Sequence, residues 1–291
     1  MYDKYDLICI LGPTASGKTR YAVNLAREIG GEILSADSRQ VYRGMDIGTG
    51  KDLADYGDVP YHLIDIVDAG TKYNIHLYQR DFEKAYKDVV QRGKRAILCG
   101  GSGLYIEAVT RAYSLPDVPQ NPELRAELEK EDTETLVNRL AGLKHLHNKT
   151  DYDTRQRLIR ALEIAIYQNE HPVNYTSFLP KNTKYIGIDV DRDPRNARID
   201  ARLEARLKEG MVEEVKRLLE SGIQAEDLIY YGLEYKFVTL YLTGVLSYDE
   251  MKLKLGTAIH QFAKRQMTWF RGMERRGIEI EWVHVYNNNL K

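Results

Sequence analysis

Short apolar runs rich in β-branched residues recur through the first third of the chain, each bounded by Gly, Asp or Pro: Asp6–Leu11, Glu32–Ala36, Tyr61–Val67 and Arg95–Cys99. These read as strands. Between them lie Lys18–Ile29, whose apolar residues fall at helical spacing before a stop at Gly30-Gly31, and the longer, tyrosine-rich Asn74–Gln91. Alternation of strand and helix predicts a parallel sheet covered on both faces. From Ala108 to about Thr183 the strand pattern is missing. The stretch is charged, punctuated by Pro116, Pro119 and Pro122, and helical over Glu123–Leu140 and Thr154–Gln168. It predicts an all-helical insertion, after which the sheet resumes at Lys184–Val190. Asp193–Gly272 reads as mostly helix, and a last strand is expected at Ile278–Tyr286. The expected organisation is an α/β core from residues 1–110 and 184–291, with a helical arm over 111–183.

Bulk composition narrows the class. The chain has 291 residues, 43% hydrophobic and 29% charged, enough for one large core and a smaller satellite domain. Lys plus Arg number 42 against 43 Asp plus Glu, which excludes a generally basic nucleic-acid coat but not a local basic groove. Cys9 and Cys99 sit in apolar runs without zinc-ligand spacing and read as buried thiols. No apolar run reaches the roughly 18–20 residues of a membrane span, and no signal peptide is expected, so a cytoplasmic, membrane-free protein is predicted.

Two motifs bring chemistry. Gly12-Pro13-Thr14-Ala15-Ser16-Gly17-Lys18-Thr19 has the spacing of a phosphate cradle, or P-loop. Its glycines let backbone N–H groups turn toward an anion, Lys18 adds positive charge, and the Thr19 hydroxyl can sit on magnesium. Such a cradle alone is shared by many nucleotide-binding and ATP-binding enzymes. A strand's length later, Asp37-Ser38-Arg39-Gln40-Val41-Tyr42 places a carboxylate where a second parallel strand ends, on the same rim. Asp37 reads as a general base, a magnesium partner or a helix cap.

Further runs join these in order: Asp46–Lys51, Pro60–Asp65, Gly100-Gly-Ser-Gly-Leu-Tyr105, Gln156–Glu163 and Ala263-Lys-Arg-Gln-Met-Thr-Trp-Phe-Arg271. Together they resemble the tRNA dimethylallyltransferases (tRNA isopentenyltransferases), in a compact, bacterial-type form. The chain departs from the family pattern at Ser102, Tyr61, Lys149–Asp153 and Tyr231–Lys236. The resemblance implies a P-loop NTPase-like sheet and transfer of a dimethylallyl group from dimethylallyl diphosphate to an adenosine beside the anticodon. It implies that residues 12–19 hold the diphosphate with magnesium (Mg2+) on Thr19, and that Arg202, in Arg198-Ile-Asp-Ala-Arg202, is a second clamp. It carries Asp37 over as the base. Asp37, Ser38, Arg39, Gln40, Ser102, Arg125, Gln156, Arg157, Leu158, Ile159 and Arg160 are carried over as contacts to the tRNA anticodon stem-loop. A monomer is expected. Arg157 and Arg160 also suit a solvated helix face or pairing with Glu163, and Arg202 an ordinary ion-pair face. Trp269-Phe270 reads as core. A small-molecule kinase, a free-adenylate isopentenyltransferase and a non-catalytic nucleotide switch remain the rival readings.

Overall fold

The computed structural model describes residues 2–111, 113, 118–143, 153–171, 178 and 180–285. Pro116, most of the stretch Lys149–Asp153 and Tyr286 therefore lie outside the described residues. The first elements alternate as expected: β1 (Leu7–Leu11), α1 (Lys18–Ile29), β2 (Gly31–Ser35), β3 (Tyr42–Arg43), β4 (Tyr61–His62), β5 (Val67–Asp68), α2 (Ile75–Gln91), β6 (Arg95–Gly100) and α3 (Gly103–Thr110). Next come α4 (Pro122–Leu128), α5 (Thr133–Leu143) and α6 (Arg155–Glu170). The sheet resumes with β7 (Thr183–Asp189). It is followed by α7 (Arg192–Glu209), α8 (Met211–Glu220), α9 (Ala225–Tyr230), α10 (Leu233–Leu242), the long α11 (Tyr248–Arg275) and β8 (Ile280–His284). By contacts the chain divides into two compact units, Met1–Ala112 with Phe178–Lys291, and Tyr113–Ser177.

The main sheet of the first unit runs β4-β2-β6-β1-β7-β8, and every pairing is parallel. Parallel strands are buried on both faces, which is why β1 reads Leu-Ile-Cys-Ile-Leu without alternation. Its residues still divide between the faces. Leu7, Cys9 and Leu11 join Leu34, Leu98, Tyr78 and Phe82 on one side. Ile8 and Ile10 join Ile33, Ile97, Ile186 and Ile188 against Ala22, Val23 and Ala26 of α1 on the other. Each such fully buried aliphatic side chain contributes about 1.5–3 kcal/mol.

Some expectations need correction. Tyr61–Val67 is not one strand: only Tyr61–His62 pairs with β2, while Val67–Asp68 pairs with β3 in a separate two-stranded ladder. Between them Leu63 and Asp65 adopt left-handed backbone, with φ of 66° and 55°. The bend brings the Asp65 carboxylate onto Lys51, whose side chain is 1% exposed. That ammonium also donates to the Tyr42 carbonyl at 2.7 Å and to Asp46 at 2.6 Å. A buried cation must be paired and hydrogen-bonded, and this demand outweighs strand propensity. Glu123–Leu140, in turn, is two helices, because Asp132 accepts from the Thr135 N–H at 2.9 Å and starts α5 anew.

The second unit packs α4, α5 and α6 around Leu128, Leu136, Leu140, Leu158, Ile159 and Leu162. Thr154, expected as the first helical residue of α6, instead caps it, accepting from the Arg157 N–H.

Candidate active site

The cradle connects β1 to α1. Its backbone turns through left-handed conformations at Ala15 (φ 61°) and Gly17 (φ 87°). Gly12 can only be glycine: a Cβ there would fall 2.7 Å from the Ile188 carbonyl oxygen and 2.8 Å from Ser16 Oγ. Gly17 precedes α1 and offers no side-chain cap. The first N–H groups of that helix thus lack an intrahelical partner and point, with the positive end of the helix dipole, at whatever anion occupies the loop. Two cradle amides are engaged elsewhere. The Ser16 N–H donates to the Pro13 carbonyl at 3.3 Å, and the Thr14 N–H donates to Gln266 Oε1 at 2.8 Å. Of the segment expected to hold diphosphate, these two amides therefore already have protein partners.

Gln266 is a residue whose part sequence reasoning missed, although it lies in the quoted Ala263–Arg271 run. Besides receiving Thr14, its Nε2 donates to the Gly101 carbonyl at 3.0 Å. A buried side-chain amide on α11 thereby joins the cradle to the loop after β6. That loop must be nearly side-chain-free: a Cβ on Gly101 would lie 2.4 Å from Gln266 Nε2, and one on Gly103 would lie 2.2 Å from the Trp269 ring. Trp269 itself is not core. It is 39% exposed and lines the pocket, with its Nε1 donating to Glu107 at 2.8 Å, whereas Phe270 is fully buried.

A cavity of about 980 Å³ opens over the cradle. Thr14, Ala15, Gly17, Lys18 and Thr19 line it together with Asp37, Ser38, Arg39, Gln40, Ser102 and Arg202. Gly12, Pro13 and Ser16 stand behind that surface. Asp37 follows β2 and is not a helix cap: its Oδ1 accepts from the Arg39 N–H at 2.9 Å, closing an Asx turn. Ser102 Oγ accepts from the Ser38 N–H at 3.2 Å, which ties the two rim loops together. Gln40 donates to the Gly50 carbonyl at 3.2 Å and accepts from the Ser35 hydroxyl. Arg39 lies 5.7 Å from the centroid of the Tyr230 ring, and Tyr231, Gly232, Leu233, Glu234 and Tyr235 of the departing segment line the same cavity.

Positive charge dominates the cradle side. Lys18 Nζ donates to the Pro13 carbonyl at 3.4 Å. Burial draws its ammonium below the ordinary lysine range, and Arg202 and Arg206 add to this, while Cys99 and Asp37 oppose it. Burial, then Arg206, likewise lowers Arg202. The Arg202 partner is Asp52, at 2.9 Å, and not an acid of its own helix. Arg206 and Glu234 also line the cavity and were not singled out from the sequence. Arg206 is one helical turn beyond Arg202, a spacing that could have revealed it. Burial raises the Glu234 carboxyl above the usual carboxylate value. Cys99, on the cavity wall, is pushed up to about 12 by burial.

The remaining candidates belong to the second unit. Arg125 donates through Nε and Nη2 to the two oxygens of Glu163, at 3.0 and 2.7 Å. Glu163 is buried, pairs with Arg160 as well, and accepts from the Asn121 N–H at 2.6 Å. Arg157 pairs with Asp153 at 2.9 Å. Leu158 and Ile159 are 0% and 4% exposed and face the core of their unit, so their side chains hold α4, α5 and α6 together and are not a surface for RNA. Gln156, at the start of α6, is exposed.

With this geometry in hand, the chain can be set against known proteins. Residues 40–273 match the family model for IPP transferase, and residues 5–56 that for isopentenyl transferase. A tRNA dimethylallyltransferase of Porphyromonas gingivalis is 62% identical over 95% of this chain and 93% of its own length. One of Parabacteroides distasonis is 59% identical over 96% and 92%. Among solved structures, the tRNA isopentenylpyrophosphate transferase of Bacillus halodurans superimposes with a TM-score of 0.71 at 33% identity, covering 97% of this chain and 90% of that one. The order of motifs, the parallel sheet that carries the cradle and the extent of these matches lead to one conclusion: the chain belongs to the IPP transferase family, that of the tRNA dimethylallyltransferases.

Proposed function

We propose that this protein transfers the dimethylallyl group of dimethylallyl diphosphate to the exocyclic amine of the adenosine 3′ to the anticodon in tRNA, releasing diphosphate. The observation that carries the reading is one cavity that has an anion cradle and two arginines on one side and Asp37 on its rim. Its volume, about 980 Å³, leaves room for a nucleobase beside a small diphosphate ester.

The residues divide the work by charge. As the carbon–oxygen bond of the substrate breaks, negative charge collects on the diphosphate. The first amides of α1, the Lys18 ammonium and the guanidinium groups of Arg202 and Arg206 are fixed where that charge grows. Magnesium fits the donor set: Thr19 and Asp37, both lining the cavity, offer hard oxygens. Magnesium takes oxygen ligands and commonly keeps waters and substrate phosphates among them, so few protein oxygens are needed. When bound, magnesium would neutralise charge on the leaving group. The adenine amine is a weak nucleophile because its lone pair is delocalised into the ring. Asp37 accepts its proton as the new nitrogen–carbon bond forms, a contribution of about 10²–10⁴-fold. The target base must leave its stack to reach the cavity. Asp37–Gln40 and Ser102 at the rim, and Arg125, Gln156, Arg157 and Arg160 on the helical unit, are proposed to receive the anticodon loop.

The test is incubation with an anticodon stem-loop and dimethylallyl diphosphate labelled in its prenyl chain. Label is expected in the RNA adenosine, together with an equivalent of diphosphate. Label in free adenylate, or phosphoryl transfer from ATP without prenylation, would replace this reading by one of its rivals.

A further inference from the structure

The arginine clamp of the cavity holds an anionic side chain of the chain itself. Asp52 Oδ2 accepts from Arg202 Nη2 at 2.9 Å and stands 3.7 Å from Arg206 Nη2. No helical periodicity brings these groups together, since Asp52 is 150 residues from Arg202 in sequence. The loop that carries it is built for this position. Lys51, immediately before, is anchored by Asp46, Asp65 and the Tyr42 carbonyl. The Asp52 carbonyl accepts from the Asp55 N–H at 2.9 Å, at the start of a 3-10 turn over Leu53–Tyr56. Asp52 itself takes left-handed backbone, φ 43° and ψ 48°, a conformation that Asp and Asn tolerate better than most residues. Gly50 lets the loop close over Arg206: a Cβ there would fall 1.7 Å from that guanidinium.

Electrostatics explain why a carboxylate belongs here. Two guanidinium groups side by side, partly withdrawn from water, repel each other, and a shared anionic oxygen relieves this. The bridge remains within reach of a ligand, because the Asp52 and Arg202 side chains are 49% and 39% exposed. Ion pairs so exposed are weak. A diphosphate carries several negative charges and can accept charge-assisted hydrogen bonds from both arginines at once, so it outcompetes a single carboxylate.

Building on the proposed function, we infer that Asp52 is an internal counter-ion of the diphosphate site, which occupies the Arg202–Arg206 clamp until diphosphate displaces it and re-forms the bridge as diphosphate departs. Asp52 thereby weakens retention of the product. It is a positioning residue, acting on the substrate through the two arginines.

The experiment measures the affinity of the full-length protein for inorganic diphosphate with magnesium, by calorimetry and by product inhibition, in Asp52→Asn, Asp55→Asn and Arg202→Ala. Asp52→Asn keeps the backbone preference and removes the charge. It should bind diphosphate about three- to tenfold more tightly and release it more slowly. Asp55→Asn removes a neighbouring charge that acts on Arg202 more weakly than Asp52 does, without its hydrogen bond, and should shift affinity less. Asp52→Gly, equally at ease in left-handed backbone, serves as a second variant should the first fold poorly. Unchanged or weaker diphosphate binding in both Asp52 variants, with Arg202→Ala impaired, would overturn the inference alone: Asp52 would then organise the clamp or do nothing to it. Normal diphosphate affinity in Arg202→Ala would instead overturn the assignment of the clamp, and the inference with it.

Discussion

Lys18 and Asp37 stand on the same cavity with opposite charges, and their substitutions should separate along the two substrates. Lys18→Ala removes a cation whose hydrogen bonds to the leaving group strengthen as charge develops. Prenyl transfer is expected to fall sharply and diphosphate binding to weaken, while binding of the stem-loop survives. Undiminished transfer at saturating magnesium would remove Lys18 from the mechanism. Asp37→Asn keeps the size and the Asx-turn acceptor but cannot take a proton. Turnover should drop by roughly two or more powers of ten, with little change in affinity for dimethylallyl diphosphate. A large loss of that affinity would move Asp37 to the magnesium shell, and near-normal turnover would leave it a positioning role.

At the scale of elements, the rim depends on how strands are held at the sheet edge. β4 is a two-residue edge strand, kept in place by side chains more than by its short ladder. His62 at its end meets Glu32 of β2 at 2.7 Å, and Arg92, just after α2, also donates to Glu32 at 2.7 Å. The hydrogen bonds from Arg92, and then His62, overcome burial and hold the Glu32 carboxyl down to about 2. The sign follows directly. A carboxyl whose folded value lies below its unfolded value of roughly 4.3 adds stability that is complete above that pH and is lost as pH falls toward 2. Urea titrations of the natural protein and of Glu32→Gln should therefore differ at pH 7 and converge between about pH 4.5 and 2. Parallel curves across that window would exclude Glu32 as the titrating group.

For the molecule as a whole, the two compact units rest on separate cores. In the helical unit Leu158 is fully buried among leucines of all three helices. Leu158→Ala should destabilise that unit by about 2–5 kcal/mol. If the unit receives the anticodon loop as proposed, stem-loop affinity should fall while diphosphate binding, which depends on the first unit, stays normal. Hydrogen exchange would locate the loss: faster exchange confined to α4, α5 and α6 is expected, and uniform acceleration across the sheet would show that the units do not melt independently. The basic side chains Arg125, Arg157 and Arg160 are already paired with Glu163 and Asp153. Any gain from phosphate contact there must exceed the loss of those pairs.

Much of the first unit was legible because its rules are local. Apolar runs marked the sheet strands, helical spacing located α1 to the residue, and glycine spacing with Lys18 identified the cradle, since backbone conformation and anion chemistry there depend on neighbours in sequence. The order of short motifs carried the family. What only the tertiary structure decided are meetings across long separations. Gln266 closes the cradle from 252 residues away, Lys51 gathers three oxygens and bends the chain after β4, and Asp52 reaches two arginines of α7. The same holds for Leu158 and Ile159. Read as part of a motif they belong to an RNA-contacting run, but the phase of α6 against its two neighbours turns them inward. Local propensity sets where an element begins and ends. Which buried charge finds its partner, and which face of a helix is covered, depends on the packing of the entire fold.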